Sequence, residues 1–434
     1  MPPDPTIAEL IAARPALTTD ALTGLLFEGA SLHAIAQAHG TPTWVYGAAT
    51  LQTRANRLQT ALPNTKIHFA VKANDHLAIL AHLARQNLGA DVVSAGELLR
   101  AATAGFPPEK IVFSGVGKTD AELTLALTHR IGQINVESAE ELHALSRLAQ
   151  SANTTAPVAL RINPDVDAGT HAKITTGRAE NKFGIPIAEA ATLYAQAATL
   201  PGIAMQGLAV HIGSQVTTTA PFTTAYEKLA ALAKTLLAQN LPLATIDCGG
   251  GLGYGYRNEP ALLPEAWAAT IARAFVGLPV TTAVEPGRWI AAPAGILLTR
   301  IIRTRRAGRA RPVVILDAAM NDLLRPAMYD AWHGVIPAAA PHLHAATETV
   351  DLAGPVCESS DILGRARALP PMPDGALVAV LDTGAYGAAM SSTYNARPLA
   401  AQVMVHNGRT ALIRPRATLA SLWAEEHVPD FLAQ

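Results

Sequence analysis

The sequence has 434 residues, of which 50% are hydrophobic, and its formal net charge at pH 7 is −1. A chain of this length can bury a large core and is too long for one ordinary domain. Because acidic and basic residues are interspersed, no overall field favours nucleic acid or an anionic membrane, and a small molecule is the expected partner.

The two cysteines, Cys248 and Cys357, lie far apart and have no metal-ligand spacing around them. This argues against a disulfide framework and against a metal site, and it suits the reducing cytoplasm. The first residues lack the basic stretch and apolar run of a signal peptide, and no window reaches the ~18 apolar residues of a membrane span. We therefore expect a soluble, cytoplasmic protein.

Residues 1–40 match neither of the two sequence patterns that follow them. We interpret them as an N-terminal arm that packs with the second of the two predicted domains. No tandem repeat or low-complexity linker interrupts the rest of the chain.

Residues 41–292 show the alternation of strands and helices that is typical of a parallel barrel. From about residue 66, short apolar β-type runs alternate with stretches whose apolar residues recur at three- and four-residue spacing. The runs are IHFAVK (67–72), ADVVS (90–94), KIVFSG (110–115), QINVES (133–138), VALRIN (158–163), MQGLAVHIG (205–213), ATIDCGG (244–250) and TTAVEPG (281–287). Eight such units predict a closed (β/α)8 barrel of the TIM type.

Residues 293–434 change to alternating runs without intervening helices. Examples are GILLTRIIRT, RPVVILD, ALVAVLD and AAQVMVHNGRTALIR, which are separated by Gly, Pro and Asn-Gly turn signals. This pattern predicts a C-terminal β-rich domain, a β-barrel or sandwich, so the fold class is α/β plus all-β.

Polar residues close the predicted barrel strands, where the active site of such a barrel forms. Lys72 ends the first run, and its apolar flanks would lower its pKa and leave a neutral amine able to form a Schiff base. Lys118 is the rival, although Gly115 and Gly117 place it beyond the third strand, where a solvated loop lysine is the plainer interpretation. We favour Lys72 and keep Lys118 as the alternative.

Two neighbouring strand ends suggest a site for a phosphorylated ring. Gly249, Gly250 and Gly251 follow the seventh strand, and their backbone N–H groups can surround a phosphate. Glu285 and Arg288 follow the eighth strand; a carboxylate there can keep a pyridine nitrogen protonated, and a guanidinium can bind phosphate or carboxylate. An ordinary buried Glu–Arg pair is the alternative.

The sixth strand ends in a histidine and is followed by a serine. His211 can stack on a flat cofactor or act as a base, and a satisfied core histidine is the alternative. Ser214 is a candidate hydroxyl donor to phosphate. Neither residue is specific without the strand ends around it.

The second domain has its own polar cluster. Cys357 and Glu358 could protonate a carbanion and hold a substrate ammonium, with a lone cysteine in a polar loop as the alternative. Arg325 and Tyr329 are four residues apart, hence on one face if that segment is helical, and could bind a carboxylate together. Tyr386 is flanked by small residues that would let its hydroxyl approach a ligand.

Nine motifs in order resemble those of the meso-diaminopimelate decarboxylases, within the alanine-racemase-like, fold-type-III enzymes that use pyridoxal 5′-phosphate (PLP). They are FAVKAN (69–74), NPDVDAGTHAKITTG (163–177), NKFG (181–184), HIGSQ (211–215), DCGGGLG (247–253), EPGR (285–288), RPAMYDAWH (325–333), CESSD (357–361) and GAYGAAMSSTYN (384–395). The resemblance extends from about residue 40 to residue 430.

The resemblance implies a role for each candidate residue. Lys72 matches the Schiff-base lysine, His211 the histidine stacked on the PLP ring, and Glu285 the partner of the pyridine nitrogen. The residues implied around the phosphate are Ser214, Gly249, Gly250, Gly251, Gly287, Arg288 and Tyr386. Those implied to bind substrate are Arg288, Arg325, Tyr329, Glu358 and Tyr386. Cys357 matches a catalytic thiol delivered by the partner subunit, so the resemblance also implies a homodimer with shared active sites.

The activity implied is decarboxylation at the D-configured centre of meso-2,6-diaminopimelate, which yields L-lysine and CO2 as the last step of lysine biosynthesis. Arg288, Arg325 and Glu358 offer two cations and one anion for the distal amino-acid group. A decarboxylase of ornithine, lysine or arginine needs no such clamp and ranks second. A catalytically inactive, PLP-free regulatory homologue is the alternative of a different class, and the presence of Lys72 and Cys357 argues against it.

Overall fold

The computed structural model describes residues 4–169, 176–177 and 180–432. The chain divides into two compact units. The barrel unit comprises Leu51–Gly255 and Glu259–Ala292, and the β unit comprises the residues up to Thr50, Tyr256–Asn258 and the residues from Pro293 onward. No helix in these described ranges has both the length and the hydropathy that crossing a membrane requires.

The regular elements are numbered in chain order. The strands are β1 (Leu17–Asp20), β2 (Gly24–Phe27), β3 (Ala30–Ser31), β4 (Thr43–Gly47), β5 (Thr65–Ala70), β6 (Gly89–Val92), β7 (Ile111–Phe113), β8 (Gln133–Val136), β9 (Ala156–Asn163), β10 (Ile185–Pro186), β11 (Ile203–Val210), β12 (Thr245–Asp247), β13 (Thr281–Val284), β14 (Gly295–Arg305), β15 (Val313–Leu316), β16 (Val335–Pro337), β17 (Glu348–Ala353), β18 (Ile362–Leu369), β19 (Leu377–Val380), β20 (Ala401–His406) and β21 (Arg409–Arg414). The helices are α1 (Ile7–Ala12), α2 (Leu32–His39), α3 (Ala48–Ala61), α4 (Leu77–Ala84), α5 (Ala95–Thr103), α6 (Asp120–His129), α7 (Ala139–Ser151), α8 (Ile187–Ala197), α9 (Ala220–Ala238), α10 (Pro264–Ala274), α11 (Arg288–Ala291), α12 (Arg325–Tyr329) and α13 (Ala340–Leu343).

The barrel unit contains eight parallel strands that close on themselves, as the sequence predicts. Their order is β9-β11-β12-β13-β5-β6-β7-β8, and β8 pairs with β9 to complete the circle, while the short β10 adds to β9. Each of the eight apolar runs overlaps one of these strands. Two strand ends differ at predicted site residues. Strand β11 ends at Val210, one residue before His211, and β5 ends at Ala70, so Lys72 lies in a 3-10 turn, Val71–Ala73, after the strand. The apolar run continues through that turn, which is why the sequence does not reveal it.

The loops after the barrel strands end in helix caps. Ser94 follows β6 and accepts a hydrogen bond from the Glu97 N–H (3.2 Å), and Ser138 follows β8 and accepts one from the Glu141 N–H (3.1 Å). A serine oxygen at this position satisfies an N–H that the helix itself cannot pair. These strand-end serines therefore start α5 and α7 rather than serve as ligands.

The β unit is built on a sheet in the order β18-β17-β15-β14-β4-β20-β21, in which β19 pairs with both β14 and β16. This matches the β-rich domain that the sequence predicts. A buried cluster on this sheet includes Val45, Leu298, Ala379 and Val403. Phe27 of the N-terminal segment belongs to the same cluster.

Candidate active site

A cavity of about 430 Å³ lies at the carboxyl ends of the barrel strands. Its lining includes Lys72, Ser114, Asn135, His211 and Glu285. These side chains come from strand ends that are distant in sequence and adjacent in the barrel. The structure thus brings three of the predicted site residues, the lysine, the histidine and the glutamate, into one cavity.

The Lys72 ammonium reaches into this cavity beside a buried carboxylate. Lys72 Nζ lies 3.2 Å from Asp91 Oδ2, and the Lys72 side chain remains 36% exposed whereas Asp91 is fully buried. Asp91 Oδ1 is buried without a hydrogen-bond partner among the described residues. A buried carboxylate with an unused oxygen can accept a proton or a further donor, so Lys72 and Asp91 form a pair suited to proton exchange.

Lys118, the rival lysine, has very different surroundings. It is buried, and its Nζ donates hydrogen bonds to the backbone oxygens of Gly115 (2.6 Å) and Asn135 (2.8 Å). Its Nζ also lies 2.8 Å from Glu141 Oε1. Three oxygen atoms fix the ammonium in place, which suits a structural role and not a nucleophilic amine.

His211 is held in one tautomer. Its Nδ1 accepts a hydrogen bond from the Gly250 N–H at 3.1 Å, so the ring proton resides on Nε2. Burial lowers the pKa of His211 well below its usual value, and the positive charges of Lys72 and Arg161 lower it further. The cavity therefore presents a neutral imidazole.

Glu285 belongs to a buried group of carboxylates. It is 7% exposed, and its Oε1 lies within 3.4 Å of Ser114 Oγ and 3.5 Å of Asn135 Nδ2, both of which can donate. Burial raises the pKa of Glu285 well above its usual value, and the charges of Asp247 and Asp91 raise it further. A cationic ring nitrogen beside Glu285 would relieve this accumulation of negative charge.

The glycine triplet has no room for side chains. Gly249 has a φ of +69°, and a Cβ built there would lie 2.1 Å from the Val210 oxygen. A Cβ at Gly250 would lie 2.2 Å from the backbone carbonyl oxygen of Glu285. The backbone of the loop after β12 therefore packs directly against neighbouring backbone. Without side chains, the loop leaves space for a ligand at the strand ends.

Arg288 and Ser214 meet beside this loop. Arg288 donates from Nη2 to Ser214 Oγ at 2.9 Å, and Arg288 is 7% exposed. The preceding Gly287 is tightly enclosed, because a Cβ there would lie 2.9 Å from the Ala73 Cβ. A buried guanidinium next to a hydroxyl is suited to an anionic phosphate.

The barrel unit also contains site residues that the sequence analysis does not single out. Asp91 and Asn135 each lie within an apolar strand, and such a polar residue in the middle of a buried run is the signal that could have revealed them. Arg161 pairs with Glu137 Oε1 at 2.8 Å, and Glu137 also accepts the Gly184 N–H. This pair links the ends of β8 and β9.

The predicted residues of the β unit fall into separate groups. Arg325 begins α12, the helical turn that Tyr329 ends, as their spacing predicts. Arg325 is 6% exposed and pairs its Nη1 with His333 Nε2 at 2.8 Å. Its guanidinium lies 4.9 Å from the centre of the Tyr256 ring. These two contacts hold the Arg325 guanidinium in a fixed position.

Cys357 and Glu358 are exposed on the β unit. Cys357 is a free thiol. Glu358 accepts hydrogen bonds from Tyr394 Oη (2.5 Å) and Ser360 Oγ (2.6 Å), and these bonds lower its pKa. A second cavity, of about 690 Å³, is lined in part by Glu358 and Tyr394. This carboxylate is thus ionised and available to an ammonium.

Tyr386 stands in an unusual backbone conformation. Its φ of +56° is rare for a residue with a side chain, and Tyr386 is partly exposed. Such strain is maintained by the surrounding structure and occurs often at ligand sites.

The residues of the barrel cavity fit PLP. The Lys72 amine matches the aldehyde of PLP, and the neutral imidazole of His211 matches its flat ring. The buried Glu285, whose pKa is raised, matches the pyridine nitrogen, and the Arg288–Ser214 pair beside the glycine loop matches the phosphate. In agreement, the sequence profile of the pyridoxal-dependent decarboxylase pyridoxal binding domain matches residues 48–292. The fold and the site together define a PLP-dependent decarboxylase.

Full-length relatives narrow the class further. The diaminopimelate decarboxylase of Zymomonas mobilis is 46% identical over 94% of this chain and 98% of its own length. The crystal structure of diaminopimelate decarboxylase from Helicobacter pylori complexed with L-lysine has a TM-score of 0.88 and 38% identity, and covers 91% of this chain and 98% of that one. The diaminopimelate decarboxylase from m. jannaschii in co-complex with L-lysine has a TM-score of 0.91 and 33% identity over 96% of this chain and 99% of that one. The chain belongs to the diaminopimelate decarboxylase family.

Proposed function

We propose that this chain catalyses the PLP-dependent decarboxylation of meso-2,6-diaminopimelate to L-lysine and CO2, the last step of lysine biosynthesis. The observation that carries the proposal is the pairing of Lys72 with Asp91 in one cavity with Glu285 and His211. The two solved relatives that hold L-lysine, the product of this reaction, support the choice of substrate.

The proposed cofactor residues all belong to the barrel unit. Lys72 would hold the PLP aldehyde, and Glu285 would bind the ring nitrogen. Arg288, Ser214, Gly287 and the loop of Gly249, Gly250 and Gly251 would bind the phosphate. The fit rests on the buried Arg288–Ser214 contact and on the absence of room for side chains in the glycine loop.

When bound, PLP accepts the electrons that the departing carboxylate leaves on the substrate α-carbon. The protein residues prepare this step. Glu285 would favour a protonated ring nitrogen, because its own buried environment favours a positive partner. His211 supplies a neutral, oriented imidazole whose Nδ1 is occupied by the Gly250 N–H. Asp91 can exchange a proton with the Lys72 amine when that amine is displaced by substrate.

The proposed substrate residues come from the β unit, with the exception of Arg288. Arg325 and Arg288 would bind the distal carboxylate and Glu358 the distal ammonium, while Tyr329 and Tyr386 add hydroxyl groups. Cys357 would deliver a proton to the α-carbon after CO2 leaves, for which its exposed, unpaired thiol is suited.

We also propose a cytoplasmic homodimer in which each active site is completed by Cys357 from the second copy. An isologous dimer accounts for an exposed catalytic thiol on a unit that does not include the barrel. We propose residues 41–292 as the PLP-binding barrel, residues 293–434 as the β domain and residues 1–40 as an arm that packs with it. Within residues 41–292, β4 (Thr43–Gly47) pairs with β14 and β20 of the β unit, and the compact barrel unit begins at Leu51.

The test is to incubate the purified protein with PLP and meso-diaminopimelate and to measure CO2 and L-lysine. We expect both products in equal amounts. L-Ornithine and L-lysine are supplied as competing substrates, and kcat/KM is expected to be lower for them by a factor on the order of a hundred or more, because neither has the distal carboxylate that Arg325 binds. Comparable kcat/KM for ornithine would instead assign the chain to the diamine-forming decarboxylases.

The contribution of Arg325 to substrate binding can be tested by its own variant. Arg325→Ala should raise KM for diaminopimelate at least about tenfold, the cost of losing a charge-assisted hydrogen bond. The matched control is Arg303→Ala, which removes the same charge from a side chain that is 73% exposed in the same unit. Equal KM values for the two variants would remove Arg325 from the substrate site.

A further inference from the structure

The barrel unit has a second cavity at its opposite end. This cavity, of about 480 Å³, is lined by residues at the amino ends of the strands, including Thr65, Gln133 and Thr245. It is comparable in volume to the 430 Å³ cavity at the carboxyl ends. The amino end of a TIM-type barrel normally serves stability and is filled by branched apolar side chains. A polar cavity of ligand size at this end is therefore a candidate binding site.

Basic groups dominate the charged part of this lining. Lys66 and Lys110 line the cavity together with His68, a neutral imidazole because burial lowers its pKa to about 4. The only carboxylate among the described lining residues is the exposed Glu109. Lys110 donates a hydrogen bond to Asn87 Oδ1. The Lys66 ammonium makes no hydrogen bond or ion pair within the part of the chain that the structure describes. The lining thus offers unused positive charge.

His68 is built into the cavity wall. It is 6% exposed, and its Nδ1 donates to the Lys110 carbonyl oxygen at 3.0 Å, so Nε2 of this neutral ring can only accept a hydrogen bond. The position of its ring depends on Gly89, since a Cβ there would lie 2.3 Å from His68 Nδ1. The neighbouring Gln206 lies at the irregularity in the β11–β9 register, which turns its side chain toward the cavity.

A chain of buried hydrogen bonds joins the two cavities. Gln133 and Asn135 lie two residues apart on β8 and face the barrel interior. Gln133 lines the cavity at the amino ends of the strands, and Asn135 lines the cavity at the carboxyl ends. Gln133 Nε2 donates to Asn135 Oδ1 at 2.8 Å, and Asn135 Nδ2 donates to Ser114 Oγ at 3.0 Å. Ser114 Oγ lies 3.4 Å from Glu285 Oε1. One layer of side chains therefore separates the cavity at the amino end of the barrel from Glu285.

We propose that the cavity at the amino end of the barrel binds a small oxyanion, a carboxylate or a phosphate, through Lys66 and Lys110, and that its occupancy changes the environment of Glu285 through Gln133, Asn135 and Ser114. A bound anion draws donors toward itself, and reorientation of the Gln133 amide is passed to Asn135 and so to Glu285. This site is independent of which amino acid the enzyme decarboxylates.

The binding test uses the PLP-loaded enzyme, so that the phosphate locus beside Arg288 is already filled. Calorimetric titration with inorganic phosphate and, separately, with succinate should show saturable binding of at least one anion, and the comparison identifies which oxyanion the site accepts. Lys66→Ala combined with Lys110→Ala should weaken that affinity at least about tenfold. Lys234→Ala, an exposed lysine of α9 outside the cavity, should leave it unchanged.

Two outcomes overturn the site: no saturable binding of either anion, or equal affinities in the double variant and the native enzyme. Lys66 is exposed, so the single variant Lys66→Ala, which should show a partial loss, guards against misfolding of the double one. The link to Glu285 is tested by the visible absorption of bound PLP, which should change on anion saturation in the native enzyme and remain constant in Gln133→Leu. An unchanged native spectrum at saturation overturns the link.

Discussion

Lys72 and Lys118 both follow a barrel strand, yet their ammonium groups meet opposite environments. The Lys72 ammonium lies 3.2 Å from the Asp91 carboxylate and reaches into the cavity at the carboxyl ends of the strands. Lys118 is surrounded by three oxygens and is 1% exposed. An amine that must give up its proton and react needs the first environment, whereas the second stabilises the loop around Gly115.

Replacing each lysine should therefore have a different result. Lys72→Ala should abolish the visible absorption of the bound cofactor and lower kcat by at least about a thousandfold, because the amine that would hold PLP is lost. Lys118→Gln should retain the absorption and lower the Tm, since it leaves buried oxygens with one weaker donor. The measurements are an absorbance scan and a thermal melt of each variant. Retained absorption in Lys72→Ala would contradict the assignment.

Glu97 provides a second prediction at the scale of a residue. It lies at the start of α5, where its Oε2 accepts the Val93 N–H at 2.9 Å. Burial raises the pKa of Glu97 to about 7, and the charge of Asp91 also raises it. Because the folded-state pKa exceeds the unfolded one, Glu97 favours the folded state at low pH, and this stability is lost as the pH rises toward 7.

Glu97→Gln should therefore stabilise the protein at pH 8 and have little effect at pH 5. Gln keeps an oxygen for the Val93 N–H but carries no charge to desolvate, so the difference should approach about 2 kcal/mol, or a few degrees in Tm, at pH 8. Thermal melts of the native and variant proteins at equal scan rates from pH 5 to pH 8 measure it. A Tm difference that is constant with pH would show that the carboxyl titrates normally.

At the scale of elements, the loop after β12 shows how two constraints combine. Gly249 has a positive φ and collides with the Val210 oxygen if a Cβ is added. Gly277, in the loop before β13, has a φ of +76° but nothing within 4 Å of an added Cβ. The two glycines therefore share the conformational requirement and differ in the space around them.

Alanine at these two positions separates the effects. Gly277→Ala should cost about 1 kcal/mol for its left-handed conformation alone. Gly249→Ala should lower the Tm further and weaken PLP binding at least about tenfold, because the Val210 carbonyl and the phosphate loop must move. Thermal melts and an absorbance titration with PLP measure both quantities. Equal losses in the two variants would mean that the collision is relieved without moving the loop.

A strand or helix can be predicted from the sequence when neighbouring residues determine it. All eight barrel runs overlap a strand, because apolar alternation and turn residues act over a few neighbouring positions. The end of β5 was placed too late, since Val71 continues the apolar run although the backbone has already turned at Ala70. Strand ends are set by hydrogen bonds to a neighbouring strand, which no local pattern contains.

At the scale of the whole molecule, the proposed dimer can be tested by mixing inactive variants. Lys72→Ala and Cys357→Ala should each have very low activity alone, yet together regain about a quarter of the native activity. Random exchange of subunits makes half of the dimers mixed, and each mixed dimer contains one site with both residues intact. Activity of the mixture is measured after subunit exchange.

The control is a mixture of Lys72→Ala with the double variant Lys72→Ala, Cys357→Ala, in which no intact site can form. It should remain inactive. If the first mixture also remains no more active than its components, Lys72 and Cys357 act within one chain, and the proposal of a shared site is wrong.

The sequence by itself determined the class of fold and the candidate residues, because both depend on short-range order: the repeating strand and helix units, the glycine triplet and the motifs around Lys72 and Glu285. Only the tertiary structure decided which partners these residues have. Asp91 lies beside Lys72, oxygen atoms surround the Lys118 ammonium, and a chain of hydrogen bonds leads from Gln133 to Glu285. Each of these arrangements joins groups from different strands. Burial and charge act through space, so the pKa values and reactivity of the site arise only when the barrel closes.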